Sequence, residues 1–264
     1  MEIQEIKNIA YLAGQEILKH YNNDLQIAYK KDNSPLTEAD LASDRIIKEG
    51  LKKYGFPILS EEATDDFKKR KNSDYVWIVD PLDGTSDFIQ KTDEFAVMIG
   101  LANKEGGAVL GVVYAPALGE LYFAEKGKGS FCEENGKIKK NTVSGKENFS
   151  EMAILLSRNH LLETEIKISK KLDLMKKHSG SAGLKICRIA EGKAEIYINS
   201  SNKSSEWDTC AGNIILQEAG GRITDVNGEE LDYNRSNPRH CEGYVVSNGK
   251  CHQSIINELK NCNG

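Results

Sequence analysis

Residues 75–85 read YVWIVDPLDGT, and this stretch decides the expected fold. Its first five residues are β-branched or aromatic, a pattern typical of a strand buried on both faces. We predict that the strand stops at Asp80-Pro81, after which the chain turns and enters a helix at Gly84-Thr85. Two acidic residues at the end of a buried strand are costly unless they are exposed or bound to a metal ion. The turn is therefore the first candidate for a functional site.

The turn carries a set of hard oxygen ligands. Asp80 and Asp83 leave the same turn, so their carboxylates can face one point, and the Leu82 carbonyl lies between them. Two carboxylates and a carbonyl are ligands that Mg²⁺ prefers. Gly84 allows the backbone to approach an anion closely, N–H groups at a helix start would hold a phosphate, and the Thr85 hydroxyl could orient a metal-bound water. The alternative is an ordinary surface turn.

The N-terminal half around this stretch predicts helices and an antiparallel meander. Apolar residues recur at helical spacing in residues 1–21 and again after Thr37, a candidate N-cap. Residues 57–60 are predicted to form a short strand, and residues 65–72 a charged, mobile surface segment. Apolar runs separated by glycine turns predict a meander of strands at residues 95–101, 108–114 and 120–125.

The pattern changes after about residue 145, where helical and strand patterns are mixed. Strands are predicted at residues 152–156, 194–198 and 243–246, and helices at residues 161–177, 182–190 and 209–218. Strands with helices in both halves predict a layered α/β or α+β sandwich of two lobes. We place the first lobe at residues 1–147 and the second at residues 148–264.

Composition restricts the function classes. The chain of 264 residues has a net charge of −5, and its 39% hydrophobic and 28% charged residues are ordinary for a globular protein. No basic stripe is visible, which argues against a nucleic acid polymer as partner. An acidic chain that handles phosphate esters needs a local source of positive charge, and bound metal would supply it.

The expected compartment follows from what the sequence lacks. No apolar run approaches the roughly 20 residues of a membrane span, and acidic and amide residues near the N-terminus argue against a signal peptide. Six cysteines without a CxxC pair or zinc spacing argue against a disulfide framework. A reducing cytoplasm fits best. Peripheral association with the inner membrane is left open, as is the choice between monomer and homodimer.

Further acidic residues could complete the ligand shell. Glu61 follows a strand-like segment, and Asp208 directly precedes a helical pattern. Taken alone, each signal is weak, because a pair such as Glu61-Glu62 is usually solvated and an aspartate at the position of Asp208 is usually an N-cap. Asp40, after the turn at residues 34–35, is no stronger alone. Residues 179–185 (SGSAGLK) lack the P-loop pattern, and are explained either as a loop with a serine N-cap or as a substrate-binding loop.

Taken together, these motifs resemble a known family. The order and spacing of Ser60-Glu61-Glu62, residues 80–85 (DPLDGT) and Trp207-Asp208 resemble the lithium-sensitive, magnesium-dependent phosphatases of the inositol monophosphatase superfamily. Within it the chain looks most like the bacterial 3′(2′),5′-bisphosphate nucleotidases of the CysQ type. The closer match lies in residues 79–89 (VDPLDGTSDFI), 109–122 (VLGVVYAPALGELY), 206–221 (EWDTCAGNIILQEAGG) and 231–234 (LDYN).

The resemblance implies a fold and a set of site residues. It implies an αβαβα sandwich, about two or three Mg²⁺ ions per site, and inhibition by Li⁺. The implied metal ligands are Glu61, Asp80, the Leu82 carbonyl, Asp83 and Asp208. Asp40 and Thr85 are implied to orient and deprotonate the attacking water. The implied substrate contacts are Gly84, Thr85, Gly180, Ser181, Lys185 and Asp208.

The resemblance also implies a reaction. We expect metal-activated water to remove the 3′-phosphate of adenosine 3′,5′-bisphosphate, leaving AMP. An inositol monophosphatase or broad sugar-phosphate phosphatase with the same metal cluster is the alternative. A non-catalytic metal or nucleotide sensor is disfavoured because every candidate ligand is present. One departure bears on specificity: CysQ-like proteins commonly carry Tyr-Pro-Arg before Glu-Trp-Asp, whereas residues 197–205 lack the arginine and offer Lys203.

Overall fold

The computed structural model describes residues 2–23, 27–30 and 33–263, and for residues 262 and 263 only the backbone. The α-helices in these ranges are α1 (Ile3–Tyr21), α2 (Glu38–Leu51), α3 (Phe67–Arg70), α4 (Thr85–Ile89), α5 (Glu163–Lys171), α6 (Ala182–Ala190), α7 (Cys210–Glu218) and α8 (His252–Asn263). Within the same ranges, no helix is both long enough and apolar enough to cross a membrane.

The strands of the described residues form two large sheets and a small hairpin. The strands of the first large sheet are β3 (Ile58–Ser60), β4 (Tyr75–Asp83), β5 (Ala96–Asn103), β6 (Ala108–Ala115), β7 (Glu120–Glu125), β8 (Gly129–Glu134) and β9 (Lys137–Lys140), paired in that order. The second sheet has the order β11 (Met175–Ser179), β10 (Ala153–Ser157), β12 (Ile196–Asn199), β14 (Tyr244–Ser247) and β13 (Arg222–Asp225). The hairpin pairs β1 (Ile27–Tyr29) with β2 (Pro35–Thr37).

Hydrophobic clusters fill the spaces between these layers. One cluster lies between helices α1 and α2 and the seven-stranded sheet, and includes Ile17. A second lies between the two sheets, where α6 and α7 contribute Ile186 and Ile214. A third lies beneath α5 and α8 on the five-stranded sheet, with Ile168 and Ile256. The order helix, sheet, helix, sheet, helix confirms the layered sandwich. The division of the chain at residue 147 stays a prediction.

Side chains of strand β5 pack into the hydrophobic clusters on both faces of the first sheet. Val97 and Ile99 belong to the cluster beneath α1 and α2, whereas Ala96 and Met98 belong to the cluster between the sheets. All four side chains are fully buried. Because successive side chains of a strand point to opposite faces, a continuous apolar run is what a strand covered on both sides requires.

A pair of glycines lets helix α7 lie directly on the sheet. Gly100 of β5 pairs with Gly111 of β6. A Cβ atom at Gly111 would lie 2.3 Å from the Ala211 carbonyl oxygen, and one at Gly100 would lie 2.7 Å from Cys210 Sγ. The first turn of α7 therefore touches the sheet at a point where no side chain fits. This contact places Asp208, which precedes α7, beside the end of β4.

The sequence patterns predicted most elements, but two strands differ from expectation. Strand β4 does not stop at Asp80-Pro81 but continues to Asp83, with a register shift between Asp80 and Asp83 that accommodates the proline. The helix predicted at residues 161–177 is wrong in its second half. There the chain reverses at Asp173, whose φ is 52°, and forms edge strand β11.

The charged segment at residues 65–72 also differs from the expectation of a mobile surface. It contains the short helix α3, and Arg70 within it is only 1% exposed. Strands β2, β8, β9 and β13 and helix α8 were not predicted. Strand β9 is exposed throughout (KIKK), so no alternation of apolar and polar residues marks it. The helix expected at residues 1–21 is confirmed as α1, which begins at Ile3 with Glu2 as its N-cap, whereas Met1 lies outside the described residues.

Candidate active site

The end of strand β4 lies where several helices begin. Asp80 is paired with Met98 and Asp83 with Ala96, and the irregularity between them contains Pro81, which has no N–H to donate. The Pro81 carbonyl accepts a hydrogen bond from Ser43 Oγ at 2.7 Å. Helix α2 is thereby joined to the turn, and the turn is fixed from the side opposite α7.

Three carboxylates converge at this point. Asp80, Asp83 and Asp208 each offer an oxygen atom within 4.8 Å of the others. Asp80 and Asp83 are buried, and Asp80 Oδ1 accepts the Leu82 N–H at 2.9 Å. The sequence placed Asp208 more than a hundred residues away from the other two, so their meeting is a product of the fold. We call these three residues the acidic triad.

Hydrogen bonds from the second half of the chain hold two members of the acidic triad. Asp83 Oδ2 accepts bonds from Ser181 Oγ and from the Gly183 N–H, the latter at 2.7 Å, both at the start of helix α6. Asp208 Oδ2 accepts bonds from Ser204 Oγ and from the Ser205 N–H, each at 2.7 Å. Ser204 and Ser205 were missed by sequence reasoning, although Ser205-x-x-Asp208 is a capping-box spacing that signals such a contact.

Burial and like charge make the triad costly without a cation. Burial raises the pKa of Asp80 well above its usual range, and the charges of Glu61, Asp83 and Asp208 raise it further. Burial, followed by the charges of Asp83 and Glu61, raises the pKa of Asp208 to about 7. Buried carboxylates this close cannot all stay ionised unless positive charge is supplied. A set made only of carboxylate oxygens fits a hard divalent metal ion.

Glu61 lies beside the acidic triad and is paired with a lysine. Lys30 Nζ, from the β1–β2 hairpin, lies 2.6 Å from Glu61 Oε1 and 2.5 Å from Glu62 Oε1. Burial raises the pKa of Glu61, the Lys30 charge opposes the rise, and the charge of Asp83 adds to it. Glu61 is thus within electrostatic reach of the triad, and Lys30 supplies part of the positive charge there.

Asp40 and Thr85 meet as the resemblance implies. Asp40 is buried in the first turn of α2, where its Oδ2 accepts bonds from the Thr37 N–H at 2.7 Å and from Thr37 Oγ1 at 2.6 Å. Thr37 is confirmed as the N-cap of this helix. Thr85 Oγ1 lies 3.1 Å from Asp40 Oδ1 and 3.2 Å from the Leu82 carbonyl oxygen. Burial raises the pKa of Asp40, and the bonds from Thr37 and Thr85 oppose that rise.

The loop at residues 179–185 packs against the end of β4. Ser181 caps helix α6 by accepting the Leu184 N–H at 3.1 Å, and the Gly180 N–H donates to Glu94 Oε2 at 3.0 Å. Lys185 is buried, and its ammonium donates to the Gly180 carbonyl. Burial lowers the pKa of Lys185, an effect that the Asp83 charge opposes most. These bonds hold the loop next to the triad, and contact of its residues with substrate stays a prediction.

The metal-free protein is expected to lose thermal stability as the pH rises from about 6.5 to 8. Asp208 has a pKa raised from 3.8 to about 7, and that of Asp80 moves the same way. The folded state therefore holds protons that the unfolded chain has released, and stability falls as they leave. Below pH 6.5, His240 and His252 act in the opposite direction, because burial lowers their pKa values to about 3 and about 4.

A divalent metal ion should reverse this loss. Because an ionised cluster would bind a cation more tightly than a protonated one, the rise in melting temperature on adding the ion is expected to be larger at pH 8 than at pH 6.5. Differential scanning fluorimetry at both pH values measures it. An equal rise at both would contradict binding at the acidic triad.

Comparison with known proteins places the chain in one family. The model of the inositol monophosphatase family matches residues 2–263. The 3′(2′),5′-bisphosphate nucleotidase CysQ of Buchnera aphidicola is 37% identical over 238 residues, covering 89% of this chain and 88% of that protein. The crystal structure of CysQ from Bacteroides thetaiotaomicron is 33% identical, with a TM-score of 0.81 over 93% of this chain and 96% of the other. The IMPase of Thermotoga maritima is 26% identical, with a TM-score of 0.83 over 100% of both chains.

Proposed function

The chain belongs to the inositol monophosphatase family and is a phosphatase, and from this premise we propose that it removes the 3′-phosphate of adenosine 3′,5′-bisphosphate. The products are AMP and phosphate. The observation that carries the proposal is the convergence of Asp80, Asp83 and Asp208 within 4.8 Å at the end of a buried strand. The nucleotide substrate rests on the relatives named CysQ, which are more similar in sequence than the IMPase of Thermotoga maritima.

We assign Mg²⁺ as the metal ion, because the donor set consists of carboxylates and one backbone carbonyl. Asp80, Asp83 and Asp208 would hold one ion, and Glu61 with the Leu82 carbonyl would hold a neighbouring ion that shares Asp80. When bound, Mg²⁺ lowers the pKa of a water molecule and offsets charge on the phosphate oxygens and the leaving alkoxide. Lys30 would have to leave Glu61 for this second position to fill, since its ammonium lies against Glu61 Oε1.

Asp40 and Thr85 form a path for the proton of the attacking water. The Thr85 hydroxyl has one proton, which it can donate to Asp40 Oδ1 at 3.1 Å. Its lone pairs then remain to accept a hydrogen bond from the water and to orient it. The raised pKa of Asp40 makes its carboxylate a better proton acceptor than an exposed aspartate.

Gly84 shapes the position of the scissile phosphate. Its φ is 86°, a left-handed conformation that favours glycine, and a Cβ atom there would lie 3.1 Å from the Glu94 carbonyl oxygen. Without that atom, the N–H groups of Gly84 and Thr85 can approach a phosphate oxygen. They would supply positive partial charge to that oxygen.

Two exposed cations adjoin the site and suit the second phosphate of the nucleotide. Lys203 directly precedes Ser204 and Ser205, which hold Asp208. Arg239 Nη1 donates to the Lys203 carbonyl at 3.4 Å, and Arg239 forms an isolated bridge with Ser205. Arg239 thus comes from a distant part of the chain to the segment that lacks the arginine common in CysQ-like proteins. An arginine suits a phosphate because its planar fork can donate two parallel bonds.

Replacing both Lys203 and Arg239 with glutamine is expected to raise the KM for adenosine 3′,5′-bisphosphate by about tenfold, with kcat changed by less than about threefold. The KM for inositol 1-phosphate, which has no second phosphate, should stay near the wild-type value. Steady-state kinetics on both substrates measures the effect. Equal changes in the KM for both substrates would show that these cations do not bind the second phosphate.

The substrate assignment is tested by comparing phosphate release from adenosine 3′,5′-bisphosphate and from inositol 1-phosphate under matched Mg²⁺ concentrations. Chromatography of the nucleotide product separates AMP, which the proposal predicts, from adenosine 3′-phosphate, which cleavage at the 5′ position would give. Preference for the nucleotide with AMP as product supports the proposal. Preference for inositol 1-phosphate would keep the metal chemistry and remove the nucleotide assignment.

An inositol monophosphatase is the second candidate. It is favoured by the match to the Thermotoga maritima IMPase, whose TM-score of 0.83 is as high as that of the CysQ structure. The absence of the Tyr-Pro-Arg segment that CysQ-like proteins commonly carry also weakens the assignment of a nucleotide substrate. The two candidates share the triad, and only the substrate comparison separates them.

A further inference from the structure

Arg70 lies outside the metal site and connects, through hydrogen bonds, the segment that follows Glu61 with the turn that contains Asp208. Its guanidinium bonds Asp65 at both carboxylate oxygens, with Nε–Oδ1 at 2.7 Å and Nη2–Oδ2 at 2.6 Å. It also donates to Asn234 Oδ1 at 2.7 Å and to the Arg235 carbonyl at 2.8 Å. The side chain is only 1% exposed, which is unusual for an arginine. We call Arg70, Asp65, Asn234, Arg235 and Glu206 the arginine clasp.

The clasp continues from Arg70 to Asp208. The N–H groups of Asn234 and Arg235 donate to the two oxygens of Glu206, at 2.7 Å and 3.0 Å. Glu206 is fully buried and lies in the same short 3₁₀ turn as Asp208. At the other end, Asp65 follows Glu61 by four residues. A continuous set of hydrogen bonds therefore runs from the segment after Glu61 to the turn that presents Asp208.

We propose that Arg70 is a positioning residue that fixes Glu61 relative to Asp208 and so lowers the Mg²⁺ concentration at which the metal site fills. The inference rests on the proposed function, since it assumes that both carboxylates serve the same metal cluster. Arg70 bonds neither carboxylate directly but acts through Asp65 and Glu206. Groups that orient metal ligands commonly affect metal affinity by about 10- to 100-fold.

Loss of the Arg70 charge by itself is expected to change the Mg²⁺ requirement in the opposite direction. Removing a buried cation near an acidic cluster would, by electrostatics, favour the binding of another cation. A variant without the arginine charge would then need less Mg²⁺. If Arg70 acts by position, the variant needs more Mg²⁺, so the direction of the change separates the two effects.

The test is the Mg²⁺ dependence of Arg70→Gln, followed by intrinsic fluorescence and by phosphate release. Trp207 adjoins Asp208, which makes fluorescence a report on metal binding that needs no turnover. We expect the half-saturating Mg²⁺ concentration to rise about tenfold by both readouts, with turnover at saturating Mg²⁺ largely retained. Arg70→Lys should recover only part of the loss, because an ammonium cannot reproduce the bidentate fork.

Two further variants keep the result decisive. Asn234→Gly removes the side-chain bonds to Arg70 but suits the backbone, since Asn234 has a φ of 65°. Asn234→Gly should raise the Mg²⁺ requirement as Arg70→Gln does, and it carries the test if Arg70→Gln does not fold. Arg188→Gln is the matched control, because this mostly buried arginine bonds Glu120 and Glu191 at the far end of α6. It should change stability without changing the Mg²⁺ requirement.

A folded Arg70→Gln or Asn234→Gly protein with a Mg²⁺ requirement within about twofold of wild type would overturn the inference and leave the proposed function standing. A lower requirement would overturn it in favour of the charge effect. A wild-type protein whose fluorescence and stability do not respond to Mg²⁺ would overturn the inference together with the proposed function.

Discussion

Replacing Asp80 with asparagine is expected to lower phosphate release by a factor on the order of 10³ or more at saturating Mg²⁺. Burial and the charges of Glu61, Asp83 and Asp208 raise the pKa of Asp80 well above its usual range, so its ionised form needs positive charge nearby. An amide keeps the oxygen that accepts the Leu82 N–H but loses the charge and the second anionic oxygen. A phosphate-release assay against Mg²⁺ concentration measures the loss.

The same variant is expected to raise the melting temperature of the metal-free protein at pH 8. Removing one buried charge relieves repulsion from Asp83 and Asp208, and each kcal/mol gained corresponds to about 2–4 °C for a chain of this size. Glu195→Gln is the matched control, since this buried carboxylate accepts the Ala153 N–H at 2.6 Å in the other sheet. It should lower stability and leave turnover near wild type. An Asp80→Asn protein that keeps full turnover, or that is destabilised as the control is, would refute the assignment.

Replacing Asp40 with asparagine is expected to lower kcat by a factor of about 10² to 10³ while leaving the half-saturating Mg²⁺ concentration unchanged. An amide oxygen can still accept the Thr37 N–H, so the N-terminus of α2 should stay capped. The amide cannot take up a proton passed on by Thr85. The loss should therefore appear in the chemical step, and single-turnover measurements at saturating Mg²⁺ detect it there.

Asp44→Asn provides the control on the same helix. Asp44 lies one turn after Asp40, is also buried, and accepts a bond from Ser60 Oγ at 2.6 Å. The control should keep kcat within about threefold of wild type, because Asp44 takes no part in the proton transfer from the attacking water. If Asp40→Asn instead shifts the Mg²⁺ requirement and spares kcat, Asp40 is a metal ligand and not the proton acceptor.

The sequence predicted the parts of this site that are local. The run from Tyr75 to Val79 is apolar at every position because both faces of β4 are covered, and this pattern predicts a buried strand. Asp80 and Asp83 follow the run directly, so their proximity could also be predicted. Helix α6 was predicted with its observed bounds, since its apolar residues recur at helical spacing and Ser181 caps it. For Asp208 the residues alone left a metal ligand and an N-cap as alternatives, and the resemblance was needed to choose between them, because nothing near Asp208 in the chain shows which strand it will meet.

Contacts between distant charged residues could not be read from the sequence. The segment containing Arg70 has the composition of a solvated surface, and its burial depends on Asn234 and Arg235, more than 160 residues later. Lys30 likewise resembles any surface lysine until the hairpin brings it to Glu61. Because charged side chains are mostly exposed, composition predicts a solvated segment. Only the tertiary structure supplies the partners that offset the free-energy cost of burying the charge.

The most direct test of the central claim is a crystal structure of the protein with Mn²⁺ and adenosine 3′,5′-bisphosphate, in which anomalous scattering locates the ions. The account predicts an anomalous peak at coordination distance from Asp80, Asp83 and Asp208, with the 3′-phosphate next to Gly84 and Thr85. It also predicts that Glu61 has turned from Lys30 to a neighbouring ion. An acidic triad without anomalous density, with Lys30 still bonded to Glu61 and the nucleotide bound elsewhere, would contradict it.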